Sequence, residues 1–82
     1  MKYDVIATDY GLQVTYGKEV TKVKKIDISG VTYTSPYIYF ATASNSRACI
    51  IDTQKPIYYN GVLQDNLSAF LETLRTSFYV MN

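Results

Sequence analysis

No histidine occurs anywhere in the chain, so the side chain that most often acts as general base, proton shuttle and metal ligand near neutral pH is missing. A serine or cysteine nucleophile activated by histidine is therefore impossible within one chain. The carboxylates are Asp4, Asp9, Glu19, Asp27, Asp52, Asp65 and Glu72, at spacings that match no calcium-binding loop. The four glycines are scattered at turn positions. Neither GxGxxG nor GxxxxGK[ST] is present, so no phosphate-cradling loop is encoded. Catalysis would require a carboxylate pair, or a lone lysine or tyrosine, assembled at long range. The expectation is a protein with no catalytic residues, no cofactor and no metal.

Cys49, in the run ACII, is the single cysteine. Of the residues near it only Arg47 would lower its pKa, so it reads as a small buried hydrophobe on a strand rather than a reactive thiol. Asn66-Leu67-Ser68 matches the glycosylation triplet by chance, because it coincides with a helix start.

Two groups of residues could bind something. The stretch VTYTSPYIYF, Val31 to Phe40, sets Tyr33, Tyr37 and Tyr39 at alternate positions, and alternate residues of an extended chain share a side. Past Pro36 the even positions, Ile38 and Phe40, are the more apolar and face the core, which leaves Tyr37 and Tyr39 on the uncovered face. A bulge at Pro36 would move Tyr33 to the other side. Tyr58 and Tyr59 are adjacent and diverge, one to each face. Tyr33, Tyr37, Tyr39 and Tyr58 are thus the candidate protein interface, since tyrosine is enriched where proteins meet. The second group is KEVTKVKK, which holds Lys18, Lys22, Lys24 and Lys25. These lysines either contact phosphates beside stacking tyrosines or guard an exposed edge strand against foreign pairing.

The elements that would position these groups are mostly strands. Tyr3–Asp9 and Leu12–Tyr16 are separated by Tyr10-Gly11, and Gly17-Lys18 follows; both breaks carry the glycine of a tight turn. In EVTKVKKIDIS one face would hold Val20, Lys22, Lys24, Ile26 and Ile28, a mixed set. Ser29-Gly30 is expected to end that run. Pro36 belongs at a strand start or a bulge. YIYFATA should pair with ACIIDTQ across Ser44–Arg47. Asn60-Gly61 supplies the two positive-φ residues of a type I′ hairpin turn. Leu67, Phe70, Leu71, Leu74 and Phe78 then form one helical stripe, with Asp65, Asn66 and Ser68 as competent N-caps. The last residues, FYVMN, either fray or add a short strand.

The expected fold is α+β: an antiparallel sheet of five or six strands, or a small open barrel, over about residues 3–63. One amphipathic helix at about 66–78 packs on one face, and residues 1–82 make a single domain. Five strands span roughly 24 Å, whereas a helix is only ~10–12 Å across. Either the sheet curls up or another molecule covers what one helix leaves bare.

Charged residues are 18% of the chain and the net charge is +1. The charge is low for a globular domain and argues weakly against non-specific nucleic-acid binding. MKYDVIATDYG holds no apolar run of signal-peptide length, and no stretch approaches the ~18 apolar residues of a membrane span. The expected setting is a reducing cytoplasm, or a particle assembled inside the cell. The leading expectation for function is a non-enzymatic structural protein that packs through its tyrosine face into a larger assembly, a virus particle being one such setting. Its partner would be a protein, most simply a further copy of itself. Two alternatives stand beside it: a β-barrel-like module binding single-stranded nucleic acid through the lysines and tyrosines, and a small adaptor or inhibitor that binds one protein, for example by adding a strand at an edge.

Overall fold

The computed structural model describes residues 1–78. Strands β1 (Tyr3–Ala7), β2 (Gly11–Tyr16) and β3 (Glu19–Lys24) lead through a 3₁₀ turn at Lys25–Asp27 into β4 (Ile28–Thr34) and β5 (Tyr37–Thr42). Strands β6 (Cys49–Asp52), β7 (Ile57–Tyr59) and β8 (Val62–Leu63) follow, and helix α1 (Leu67–Ser77) ends the described chain. Whether the last residues fray or add a strand falls on residues 79–82, outside those described.

The fold is α+β and mostly strand, but it is neither one sheet nor one closed barrel. A five-stranded sheet A has the order β3-β2-β1-β7-β8, and a three-stranded sheet B has the order β4-β5-β6. Sheet A is mixed rather than antiparallel, because β7 runs parallel to β1 with Tyr3 opposite Ile57 and Val5 opposite Tyr59. Neighbouring runs in sequence were expected to pair as hairpins. The chain leaves sheet B after β6 and returns beside its own first strand, anchored where Tyr3 N–H donates to the Pro56 carbonyl at 2.8 Å.

The mixed periodicity of EVTKVKKIDIS has a simple origin. It is two strands of different sheets joined by the 3₁₀ turn, which resets the alternation and leaves Ile26 exposed. Ser29-Gly30 does not end a strand as expected. It lies inside β4, where the pairing register with β5 shifts between Ile28 and Gly30 as in a β-bulge.

The expected hairpin at Asn60-Gly61 is present, with φ of 49° and 84°. Asn60 also extends the parallel pairing past the end of β7. Its backbone N–H donates to the Val5 carbonyl, its Oδ1 accepts from Ala7 N–H at 2.9 Å, and its Nδ2 donates to the Ala7 carbonyl at 3.3 Å. One residue thus makes the turn and satisfies backbone groups that the short strand would leave open.

The inward residues of both sheets form one core: Tyr3, Val5, Leu12, Val14 and Ile57 from sheet A, and Val31, Ile38, Phe40, Cys49 and Ile51 from sheet B. Helix α1 adds Phe70 and Leu74, and Phe78 follows it. Asn66 is the N-cap, its Oδ1 accepting from Ala69 N–H at 3.0 Å. The helix does not lie on one face of one sheet. Phe70 meets Tyr59 of sheet A edge-on at 5.5 Å between ring centroids, and Phe78 meets Phe40 of sheet B at 5.8 Å. It joins the two sheets, and the second sheet supplies the cover that one helix lacks. Among the described residues no helix is long and apolar enough to cross a membrane.

Candidate interface surfaces

With the inner faces sealed, what remains is the two outer faces and the sheet edges. The tyrosine row of the sequence is divided by the β4–β5 hairpin. Thr34 lies opposite Tyr37, Tyr33 opposite Ile38 and Thr32 opposite Tyr39. Ser35 and Pro36 make the turn. Residues directly opposite in an antiparallel pair share a face, so a reversal after two residues puts odd positions of β4 with even positions of β5. Tyr33 therefore sides with Ile38 and Phe40 and packs half-buried against the core. Tyr33 does not share the outer face with Tyr37 and Tyr39, and the hairpin, not a bulge at Pro36, is the reason.

Tyr37 and Tyr39 do lie on the outer face of sheet B, their ring centroids 6.0 Å apart and tilted by 46°. Tyr37 is 40% exposed and Ile50 42%, and Ile50 sits opposite Tyr39 on β6. Thr32 and Thr34 complete the patch from β4. The charged members are Asp52, opposite Tyr37, and Arg47, whose guanidinium carbon is 5.0 Å from the Tyr39 ring centroid, in cation–π range. Arg47 and Ile50 belong to this surface although the sequence reading did not single them out. Ile50 could have been found from the alternation of ACIID, which faces it away from Cys49 and Ile51.

Tyr58 is elsewhere. It lies opposite Asp4 on sheet A with the Lys2 ammonium 4.7 Å from its ring centroid, and Lys2 in turn reaches Asp4 at 3.8 Å. Tyr58 thus shares no patch with Tyr37 and Tyr39. Lys22 and Lys24 alternate with Thr21 and Val23, whose partners Val14 and Leu12 are buried, so both lysines point out from the edge strand β3. Lys18 stands in the β2–β3 turn and Lys25 in the 3₁₀ turn. The lysine group and the Tyr37–Tyr39 pair are on different sheets. The tyrosine that accompanies the lysines is Tyr10, 88% exposed, which lines an open groove with Ile6, Gln13, Lys22 and Lys24.

Cys49 is buried, and desolvation pushes its thiol up to about 11, which holds it protonated and unreactive at neutral pH. The Tyr3 hydroxyl accepts from Asp52 N–H at 3.1 Å across the two sheets, and its pKa is raised chiefly by burial. Among the described residues no three His, Cys, Asp or Glu side chains gather as a metal site. Comparison with protein-family models, with curated proteins and with solved structures gave no match.

Proposed function

We propose that the chain is a non-enzymatic structural protein that packs through the outer face of sheet B into a larger assembly of copies of itself. The observation that carries this reading is the composition of that face. Tyr37, Tyr39 and Ile50 are flanked by Thr32 and Thr34, with one charge of each sign beside them in Asp52 and Arg47. The set is rich in aromatic and β-branched surface, and aromatic residues and arginine are enriched where proteins meet. The width of the sheet relative to the helix no longer supports it, since sheet B covers that area. Size sets the kind of contact. The strands of sheet B are 7, 6 and 4 residues long. At ~3.3 Å per residue and about 4.8 Å between strands they present roughly 300 Å², well below the ~800 Å² per partner of a freestanding complex. Such a patch suits one of several contacts in a repeated array. The test is sedimentation of the wild-type chain against Ile50→Lys, which places a charge on the patch without touching the core. The variant should sediment as a smaller species with an unchanged urea midpoint. Identical sedimentation of the two would sink the reading.

A second reading has one observation in its favour, the groove of Tyr10, Lys22 and Lys24. It would bind single-stranded nucleic acid by stacking and phosphate contact. Tyr37 and Tyr39, on the other sheet, then have no part in it. Binding to mixed oligonucleotides that weakens steeply with salt and is lost in Tyr10→Ala supports this reading; salt-insensitive or absent binding removes it.

A further inference from the structure

Each sheet has two edges, and three of the four are poor templates for another strand. β3 carries Glu19, Lys22 and Lys24, and charge on an edge discourages pairing. β8 is 2 residues long. β6 is 4 residues long and ends in Asp52. The fourth edge differs. β4 is 7 residues of sequence ISGVTYT, with no charge and no proline. Among the described residues, no backbone group of Ser29–Thr34 bonds outside the ladder to β5. Even the Ser29 hydroxyl donates to Ala41, on β5, at 3.2 Å.

We propose that the edge of β4 away from β5 pairs antiparallel with β4 of a second copy, about a two-fold axis at Thr32, making one six-stranded sheet from two three-stranded ones. The occupant is a second copy because the strand is complementary to itself in this register. A two-fold axis at Thr32 sets Thr32 against Thr32 on the outer face. On the inner face it sets Val31 against Tyr33 and Tyr33 against Val31. Thr–Thr and aromatic–β-branched pairs are both favourable directly across an antiparallel ladder. Gly30 falls opposite Thr34, and no like charges meet. Tyr33, half-buried at the rim of its own core, gains cover from its neighbour. The interface is isologous and closes after two copies.

This pairing also addresses the small size of the outer face. It runs the Tyr37–Tyr39–Ile50 surface across two chains and doubles it to roughly 600 Å², close to what a specific contact needs. The inference rests on the reading that the chain assembles with itself, though not on which face does so.

The test is disulfide trapping in the full chain, comparing Thr32→Cys with Thr34→Cys under mild oxidant on non-reducing gels. Both positions are exposed, so neither substitution disturbs the core, and the native Cys49 is buried. Directly opposed residues of an antiparallel pair are about 4.5–5.5 Å apart, within the Cα range of a disulfide. Thr32→Cys should therefore cross-link to a dimer at least about ten-fold faster than Thr34→Cys, whose opposite residue is Gly30. Equal rates, or no dimer from either, would overturn the pairing. Repeating Thr32→Cys in the Ile50→Lys background separates the two readings. Cross-linking that persists there supports the β4 pairing even where Ile50→Lys leaves sedimentation unchanged, a result that defeats the outer-face reading alone. Cross-linking lost on changing Ile50, two strands from the edge, would overturn the pairing.

Discussion

Phe70→Ala is the sharpest test of how the two sheets are held together. Phe70 is fully buried at 0% exposure and its ring meets Tyr59 of sheet A edge-on at 5.5 Å. Truncating a buried phenylalanine to alanine costs about 3–5 kcal/mol through lost transfer energy and the cavity left behind. Roughly 0.5–1.5 kcal/mol of that belongs to the aromatic pair itself. A chain of this length has a total stability of about 4–12 kcal/mol, so the variant loses a large share of it. With a urea m-value near 1 kcal/mol/M for so small a domain, the midpoint should fall by about 3 M or more. The thermal midpoint should fall by at least about 12 °C, taking ~4 °C per kcal/mol as the lower figure. The neighbouring Leu71 is only partly buried, and Leu71→Ala should cost less, about 1–2 kcal/mol. Urea unfolding followed by far-ultraviolet circular dichroism reads both. A loss below ~1 kcal/mol for Phe70→Ala would mean that the helix is not docked between the sheets.

The other predictions concern single positions. Asn60→Ala should destabilise by about 1–3 kcal/mol, since it removes both side-chain bonds to Ala7 and puts a Cβ-bearing residue without a polar side chain at positive φ; Asn60→Gly, which relieves only the backbone strain, should cost less in the same urea assay. Gly11→Ala places a methyl carbon 2.4 Å from the Val23 carbonyl oxygen and 3.1 Å from Lys24 Cα, so backbone must move and about 1–3 kcal/mol should be lost. Cys49 should resist thiol reagents until the protein unfolds. Its folded pKa of about 11 lies above that of an unfolded thiol, ~8.5, so stability is full below about pH 8.5 and declines as the pH climbs towards 11, where the unfolded chain has already released the proton. Cys49→Ala should flatten that decline in urea midpoints measured from pH 7 to 10.

What the sequence made legible was local. The Asn60-Gly61 turn, a cap from among Asp65, Asn66 and Ser68, and the helical stripe each depend on a few neighbouring residues. Asn66 is the cap, and of the stripe Phe70, Leu74 and Phe78 are buried, Leu71 partly so, and Leu67 exposed. The division into two sheets was not legible. It depends on the 3₁₀ turn at Lys25–Asp27, which carries no glycine or proline to mark it, and on the return of β7 beside β1 across more than fifty residues. Parallel pairing of that kind leaves no trace in alternation, because it changes which strand is a neighbour and not which face is buried. The interface candidates followed the same division. Alternation along β5 puts Tyr37 and Tyr39 on the outer face of sheet B, where they lie. Alternation across Pro36 groups Tyr33 with them and divergence from Tyr59 groups Tyr58 with them, but the β4–β5 hairpin turns Tyr33 to the other face and Tyr58 lies on sheet A. Tyr10 sits in the β1–β2 turn just before Gly11 opens β2, where no alternation assigns it a face, and its ring lies beside Lys22 and Lys24.

The most direct test of the central claim is solution mass by light scattering, from micromolar to millimolar chain, at low and high salt. The protomer is 9.3 kDa. Association through the face of Tyr37, Tyr39 and Ile50, held mainly by aromatic and β-branched contact, predicts a mass that climbs above that value with concentration and depends little on salt. A mass that stays at one protomer under every condition would contradict it.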